Sequence, residues 1–410
     1  MLSRYIASRT TGLSIPILSL VAFIGVANPD DYADIRCTKA YARAEKAVLP
    51  IVRSLMDGES AHTFALLSAP YLGVRSPPPT SLTPLSTTLK SRSGSSSLHL
   101  RNCVGLAAGF SKDGDAAASL LAAGFGSVEV GSTTPEPQPG NDRPRVFRLE
   151  EDRAVINRYG FNSLGHGSCA KNLELARAEL ARYSGYRGVP LEYCGSIGVN
   201  LGKNKTTENA KEDYVKGIEA LASLGDYLVI NVSSPNTPGL RGLQSRSSIR
   251  SLMSSCVSAR NAHAPDKLLF VKVAPDLTDS GIDGVVEAVV AEMVDGVIVG
   301  NTTVGRAGVS SPLGSEGGGL SGAPLRSLST DVVRKFHDRL AGTGVHVIGC
   351  GGVSTGAEAY EKIRAGACAV QLYTGLTYGG LGMVEEIKEE LERLLERDGY
   401  GSVAEAVGKG

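Results

Sequence analysis

Four asparagines, Asn157, Asn231, Asn236 and Asn301, are the residues of this sequence whose type best suits recognition of an uncharged ring. A carboxamide offers donors and acceptors without charge. Converging, the four would match a planar, imide-like ring with alternating C=O and N–H, such as a pyrimidine. Singly, each also fits an Asx turn or a cap. Lys272 lies near the end of an apolar run (269–273), where a charge is costly unless paired. A lysine there is placed to stabilise an anion that develops during reaction. Gly351-Gly352, followed by Ser354-Thr355-Gly356 opening a helix, offers free backbone N–H groups of the kind that hold phosphate. With Tyr373-Thr374 after a further strand, it predicts a phosphorylated ligand, either a cofactor or a phosphosugar.

Other chemistries are disfavoured. The six histidines, His62, His99, His166, His263, His337 and His346, fall in helices, loops or strand entrances, away from these clusters. No Ser/His/Asp grouping argues for an activated-serine hydrolase. Seven scattered cysteines without a CxxC argue against a disulfide framework, a zinc site or an iron–sulfur cluster, so no metal is expected. A reducing compartment follows, and redox chemistry then requires a bound organic cofactor. Lys+Arg and Asp+Glu are both 42, so no global field favours nucleic acid. Gly supplies 50 of 410 residues, above the usual ~7%, as tight turns and close backbone approach to a ligand demand.

The elements that must position these residues come from the apolar pattern. Continuous apolar runs at 104–108, 127–131, 197–200, 227–231, 269–273, 296–300, 345–349 and 369–373 read as strands buried on both faces of a parallel sheet. Helix-length amphipathic segments at 115–123, 171–183, 209–224, 247–262, 280–293, 330–340 and 357–365 alternate with them, and 384–397 closes the series. That alternation predicts an α/β fold, a (β/α)8 TIM barrel over 100–397, with a C-terminal tail at 398–410. A doubly wound open sheet is the alternative, weakened because no GxGxxG follows the first strand. Polar or glycine-rich clusters follow nearly every strand, and a barrel gathers all of them at one mouth.

Ahead of the barrel, residues 1–29 carry Arg4 and Arg9 and no acidic residue, and 10–29 is free of charge. A cleaved secretory signal, a mitochondrial presequence merging into a membrane anchor, and a buried helix compete here. The Arg/Ser-rich start favours the mitochondrial one. Residues 30–75 hold two short helices. Tyr41, Ala44, Val48, Ile51, Val52 and Leu55 recur at helical spacing, Gly58 follows, and Ser60 is the expected cap of the second. The pair suits either a core lid or an amphipathic module in a membrane interface. Residues 76–99, rich in Ser and Pro, read as a linker.

At these residues the sequence resembles the class 2, membrane-associated dihydroorotate dehydrogenases. The matching runs include VGLAAGFSKDG (104–114), VEVGSTTPEPQPG (128–140), RPRVFRLEEDRAVINRYGFNS (143–163), YLVINVSSPNTPGLRGLQ (227–244) and GGVSTGAEAYEKIRAGACAVQLYTGLTY (351–378). Glu59-Ser60-Ala61-His62 resembles that family's N-terminal membrane module. The resemblance implies FMN as cofactor, dihydroorotate and orotate as substrate and product, and a ubiquinone-type membrane quinone as electron acceptor. It implies a mitochondrial inner-membrane enzyme of pyrimidine synthesis held by a single N-terminal anchor.

Carried over by motif, the flavin would contact Ala107, Ala108, Gly109, Phe110, Ser111, Ser132, Asn200, Asn231, Lys272, Gly322, Gly351, Gly352, Tyr373 and Thr374. The dihydropyrimidine would contact Lys112, Asn157, Arg158, Tyr159, Gly160, Phe161, Asn231, Asn236, Asn301 and Thr302. Ser234 matches the family's proton-abstracting base, with hydride passing to flavin N5, and Lys272 would stabilise the reduced flavin. His62, Arg148 and Tyr373 would border the quinone path. The sequence departs from the family's pattern at Gly300, where a threonine is usual, and at Ser111, where an aspartate is usual; the Gly/Ser-rich stretch 305–319 is a further oddity. Rivals are a class 1 enzyme using fumarate or NAD, a phosphosugar isomerase on the same barrel, and a catalytically dead anchored binding protein.

Overall fold

The computed structural model describes residues 35–69, 79 and 81–410. The segment 1–29, read as presequence and anchor, lies outside the described residues. Two helices lead the described chain, α1 (Ile35–Leu55) and α2 (Gly58–Ser68). The cap of α2 is Asp57, not Ser60. The Asp57 carboxylate accepts from the amides of Glu59 and Ser60, and Gly58 opens the helix instead of closing the one before. Asp57 wins because a carboxylate satisfies two orphan amides of the first turn at once and favours the positive end of the helix. Among the described residues no helix is long and apolar enough to cross a membrane.

The Ser/Pro-rich stretch is not all linker. Its second half forms a β-hairpin, β1 (Thr87–Lys90) with β2 (Ser97–Leu100), paired from Thr87↔Leu100 to Lys90↔Ser97. Leu85, Leu89, Leu98 and Leu100 are buried. Small polar residues dominate the composition and hide a leucine at alternate strand positions, which suffices to bury one face. The hairpin closes the end of the barrel remote from the polar clusters. His346 donates from Nε2 to Lys90 O (2.8 Å), and Arg92 N donates to the buried Asp295 (2.8 Å).

The expected barrel is closed. In spatial order its strands are β3 (Val104–Leu106), β4 (Ser127–Thr133), β7 (Ser196–Leu201), β8 (Tyr227–Asn231), β9 (Leu268–Val273), β10 (Gly296–Val299), β12 (His346–Cys350) and β13 (Ala369–Leu372). All neighbours are parallel, and β13 returns to β3 in the register Val370↔Val104 and Leu372↔Leu106, which rules out the open sheet. Seven helices fill the crossovers: α3 (Ala117–Ala122), α4 (His166–Arg187), α5 (Ala210–Leu221), α6 (Arg246–His263), α7 (Asp279–Ala291), α8 (Arg326–Leu340) and α9 (Gly356–Arg364). After β13 come α10 (Thr374–Gly379), α11 (Met383–Arg397) and α12 (Val403–Ala406). The last turns residues 398–410 from a free tail into a docked one, since Val403 and Ala406 are fully buried and Val403 N donates to Pro84 O (2.9 Å).

One element went unforeseen. β5 (Val146–Leu149), β6 (Ala154–Asn157) and β11 (Gly319–Gly322) make a three-stranded antiparallel sheet in the order β11-β6-β5, with its own small core of Leu149, Ala154, Ile156 and Leu320. Residues 146–157 and 319–322 are far apart in sequence, so no local pattern announces their pairing. The sheet stands at the C-terminal end of the barrel and delivers Asn157 and Gly322 to the mouth.

Candidate functional site

The polar floor of the mouth lies inside the barrel. Lys272, on β9, points inward beside Glu129 of β4, with Nζ 3.2 Å from Oε1. Asn200 of β7 donates to the same oxygen (2.6 Å), and Gln371 of β13 donates to Oε2 (2.6 Å). Glu129 is wholly buried and Lys272 nearly so. Burial works against the lysine's charge, but the adjacent Glu129 carboxylate overrides it and holds Lys272 above the usual lysine range. Four strands thus supply one fixed cation, compensated from below. Sequence reading found the lysine and missed Glu129. Its signal was a carboxylate in mid-strand between Val128 and Val130, a position where an unpaired charge is not tolerated.

Above this floor the asparagines converge. Asn231 Nδ2 donates to Ser132 Oγ (2.8 Å) and Asn200 Oδ1 (3.2 Å), while Ser132 Oγ also bonds Asn200 Oδ1. Asn301 Nδ2 donates to Ser233 Oγ (2.8 Å), and Asn236 Nδ2 donates to Asn157 O (3.0 Å). Ser234, buried at the start of the loop after β8, accepts from Asn236 N (3.3 Å). The hydroxyls of Thr237 and Thr302 are buried and find no partner among the described residues.

Lys112 forms the opposite wall. Its Nζ donates to Asn162 Oδ1 (2.8 Å) and stands 3.1 Å from the centroid of the Tyr159 ring. Burial, reinforced by Arg145, pushes Lys112 down to about 7. Arg145 also lies over Tyr159 (5.2 Å) and pairs with Glu59 of α2 (2.7 Å), which ties the helical module to the segment carrying Tyr159. His62, which residue type alone placed away from the mouth and the family resemblance placed beside it, sits over it. Its Nε2 is 2.7 Å from Phe110 O, and its ring packs on Phe110 (5.0 Å) and Tyr373 (6.2 Å). A carbonyl only accepts, so Nε2 carries the proton. Burial first, then repulsion from Lys112, lowers His62 to about 4 and keeps it neutral.

The glycine turn expected to hold phosphate differs from expectation in one respect. The helix N-terminus after it is already occupied, because Ser354 N donates to Glu358 (2.7 Å) and Gly356 N to Glu390 (2.7 Å). Two carboxylates take the site an anion would use. What remains is the Gly351-Gly352 turn, both at positive φ (108° and 69°), with Thr374 beside it.

A single cavity of about 340 Å³ joins these parts and runs out between α1 and α2. It is lined by the carried-over residues Ala107, Ala108, Gly109, Phe110, Ser132, Asn157, Tyr159, Gly160, Phe161, Asn231, Ser234, Asn236, Lys272, Asn301, Thr302, Gly322, Gly351, Gly352, Tyr373 and Thr374. Lys112, His62 and Arg148 line it as well. Three others do not. Ser111 turns away to donate to Asp115 (3.0 Å), Asn200 lies in the layer beneath, and the Arg158 guanidinium pairs with Glu316 (2.8 Å) over the Phe147 ring. Gly300 has its own explanation. At φ 117° a Cβ there would stand 2.1 Å from Cys350 O, so this backbone admits no threonine.

Fold and site together define the class, a (β/α)8-barrel enzyme whose polar mouth opens under a helical pair. Residues 93–395 match the family model described as dihydroorotate dehydrogenase. The dihydroorotate dehydrogenase (quinone) of Anaeromyxobacter sp. (strain Fw109-5) is 50% identical over 309 residues, which covers 74% of this chain and 81% of that one. The dihydroorotate dehydrogenase (quinone), mitochondrial, of Mus musculus is 47% identical over 364 residues, covering 88% and 89%. A crystal structure of DHODH from Eimeria tenella in complex with ferulenol superposes with a TM-score of 0.77 at 39% identity, covering 86% of this chain and 95% of that one. The chain belongs to the dihydroorotate dehydrogenase family, in its class 2 branch.

Proposed function

We propose that this chain oxidises dihydroorotate to orotate in pyrimidine synthesis, with FMN as the bound cofactor and a ubiquinone-type membrane quinone as the electron acceptor. The observation that carries this reading is the one cavity, polar where Lys272, Ser234 and the asparagines meet and apolar where it passes Val52, Ala61 and Ala65 of the helical pair. The residues fit FMN: a glycine turn for the phosphate, a buried cation on the floor, and a Ser132–Asn200–Asn231 amide cluster. When bound, FMN supplies an acceptor for a hydride.

Ser234 takes the proton from the carbon next to the one losing hydride. A serine hydroxyl is a poor base, so its own proton must leave, and the hydroxyls of Thr237 and Thr302, without partners among the described residues, are the candidates for that exit. Asn157, Asn231, Asn236 and Asn301 hold the ring by its C=O and N–H groups, while Lys272 offsets the negative charge that builds up over the floor. Residues 1–29 would supply a presequence and single anchor in the mitochondrial inner membrane, in keeping with the mitochondrial relatives.

Lys112 would hold the substrate carboxylate by a charge-assisted bond. Burial and the nearby Arg145 hold the lysine down at about 7, which sets a sign. The ammonium is present below that pH and lost above it, so the dissociation constant of dihydroorotate should rise by up to about tenfold per pH unit between about pH 7 and 9. A Lys112→Met variant should bind weakly with no such slope. A flat profile in the wild type would remove Lys112 from this role.

The whole reading has a direct test. The purified protein should be yellow, and dihydroorotate should bleach its flavin spectrum without oxygen. A colourless protein that takes up no FMN, or a flavin that dihydroorotate leaves oxidised, would sink it.

A further inference from the structure

Behind the glycine turn lies a second buried lysine that the reaction above does not use. Lys362, on α9, is fully buried. Its Nζ donates to Ser329 Oγ (2.6 Å) and Thr330 Oγ1 (2.9 Å) of α8 and reaches Arg326 O (3.4 Å). All three partners are neutral. Lys272, buried inside the barrel, is by contrast compensated by a carboxylate in contact. An ammonium carried that deep without one is costly unless another anion comes near.

The geometry says where that anion would be. Ser329 Oγ also bonds Gly351 O (3.1 Å), so one hydroxyl separates the ammonium from the turn. A Cβ on Gly349 would stand 3.2 Å from Lys362 Cδ, and one on Gly352 would strike Arg326 backbone atoms at 2.5–2.7 Å, so strand, turn and α8 are packed without slack around the lysine. Neighbouring carboxylates, Glu361 and Glu358, supply only part of the compensation, which burial outweighs. Glu358 and Glu361 are engaged by Arg326 (3.1 and 3.7 Å), and Glu358 and Glu390 also cap the helix amides, which makes the turn's surroundings more negative. Cys350, the remaining titratable neighbour, is a buried thiol whose ionisation burial opposes.

We propose that Lys362 is the phosphate's buried counter-charge, holding the dianionic end of the flavin nucleotide through the Gly351-Gly352 turn without touching it. This rests on the FMN reading above. It makes Lys362 a positioning residue, and it explains how a turn flanked by two carboxylates, Glu358 and Glu390, still accepts a dianion.

The test compares FMN with riboflavin, which lacks the phosphate. Lys362→Gln keeps a hydrogen-bond donor towards Ser329 and removes the charge. Its FMN affinity should fall by about tenfold or more, the worth of a unit charge felt through a protein interior, with riboflavin affinity changed less than about twofold. Equal losses for both flavins, or none for either, would overturn the proposal. Should that variant not fold, the wild type decides. Burial pushes Lys362 down to about 8; a phosphate would raise it, so FMN binding at about pH 8.5 should take up a fraction of a proton and riboflavin none. Calorimetry in buffers of different ionisation heat reads this, and no uptake with FMN would overturn the proposal. Wild-type protein that binds neither flavin would instead sink the cofactor reading.

Discussion

Ser234→Ala should slow the reduction of bound flavin by dihydroorotate about a thousandfold, within the range that positioned proton transfer contributes. Binding of dihydroorotate should change little. The asparagines come from β6, β8 and the loops after β8 and β10; Ser234 Oγ accepts from the backbone N of Asn236 alone, whose side chain is held separately by Asn157 O. Alanine removes that acceptor and leaves the fold of the loop to Arg241, which donates to Ser233 O (3.1 Å) and Thr302 O (2.8 Å). Stopped-flow absorbance gives the rate, and substrate titration of the slow variant gives the affinity. Flavin reduction near the wild-type rate would mean that another group takes the proton.

Deleting residues 1–75 should cost quinone turnover at least about a hundredfold, because the acceptor loses the walls that orient it. Flavin reduction by dihydroorotate should fall no more than about threefold, since the groups proposed to act on dihydroorotate stand on the barrel and its small sheet. The helical pair is seated by a few defined contacts: the Glu59–Arg145 pair, His62 against Phe110 O, and Arg148 donating to Arg53 O (2.6 Å) and Met56 O (2.5 Å). Arg148, which lines the cavity, also keeps a buried nitrogen without a partner among the described residues. Ile51, Leu55 and Leu67 are exposed, and Ile51 and Leu55 also line the cavity, so the proposed entrance is apolar. Equal loss of both half-reactions would argue against a quinone path between the helices. Measuring reduction by dihydroorotate and reoxidation by a short-chain quinone separately keeps the two apart.

The barrel was legible in the chain because its signal is local. Each of the eight strands is a short apolar run with an amphipathic helix or a turn beside it, and all eight fall where those runs stand, with ends shifted by a residue or two. The chemistry-bearing residues were legible for a related reason. In a parallel barrel every strand end points to one mouth, so Asn231, Asn301, Lys272 and Gly351 are neighbours as soon as the strands close.

Tertiary structure alone decided the rest. Glu129 is invisible as the partner of Lys272 until β4 and β9 face each other across the barrel, and the sheet of β5, β6 and β11 pairs segments with more than a hundred and fifty residues between them. The hairpin of β1 and β2 hid behind a polar composition, and the anion site at the start of α9 was given to two carboxylates, one of them from α11. Periodicity reports which face of a segment is buried, and residue type reports what a group can do. Which charge meets which is settled only when distant segments are packed, because the cost of an unpaired buried charge is a property of its surroundings and not of its neighbours in sequence.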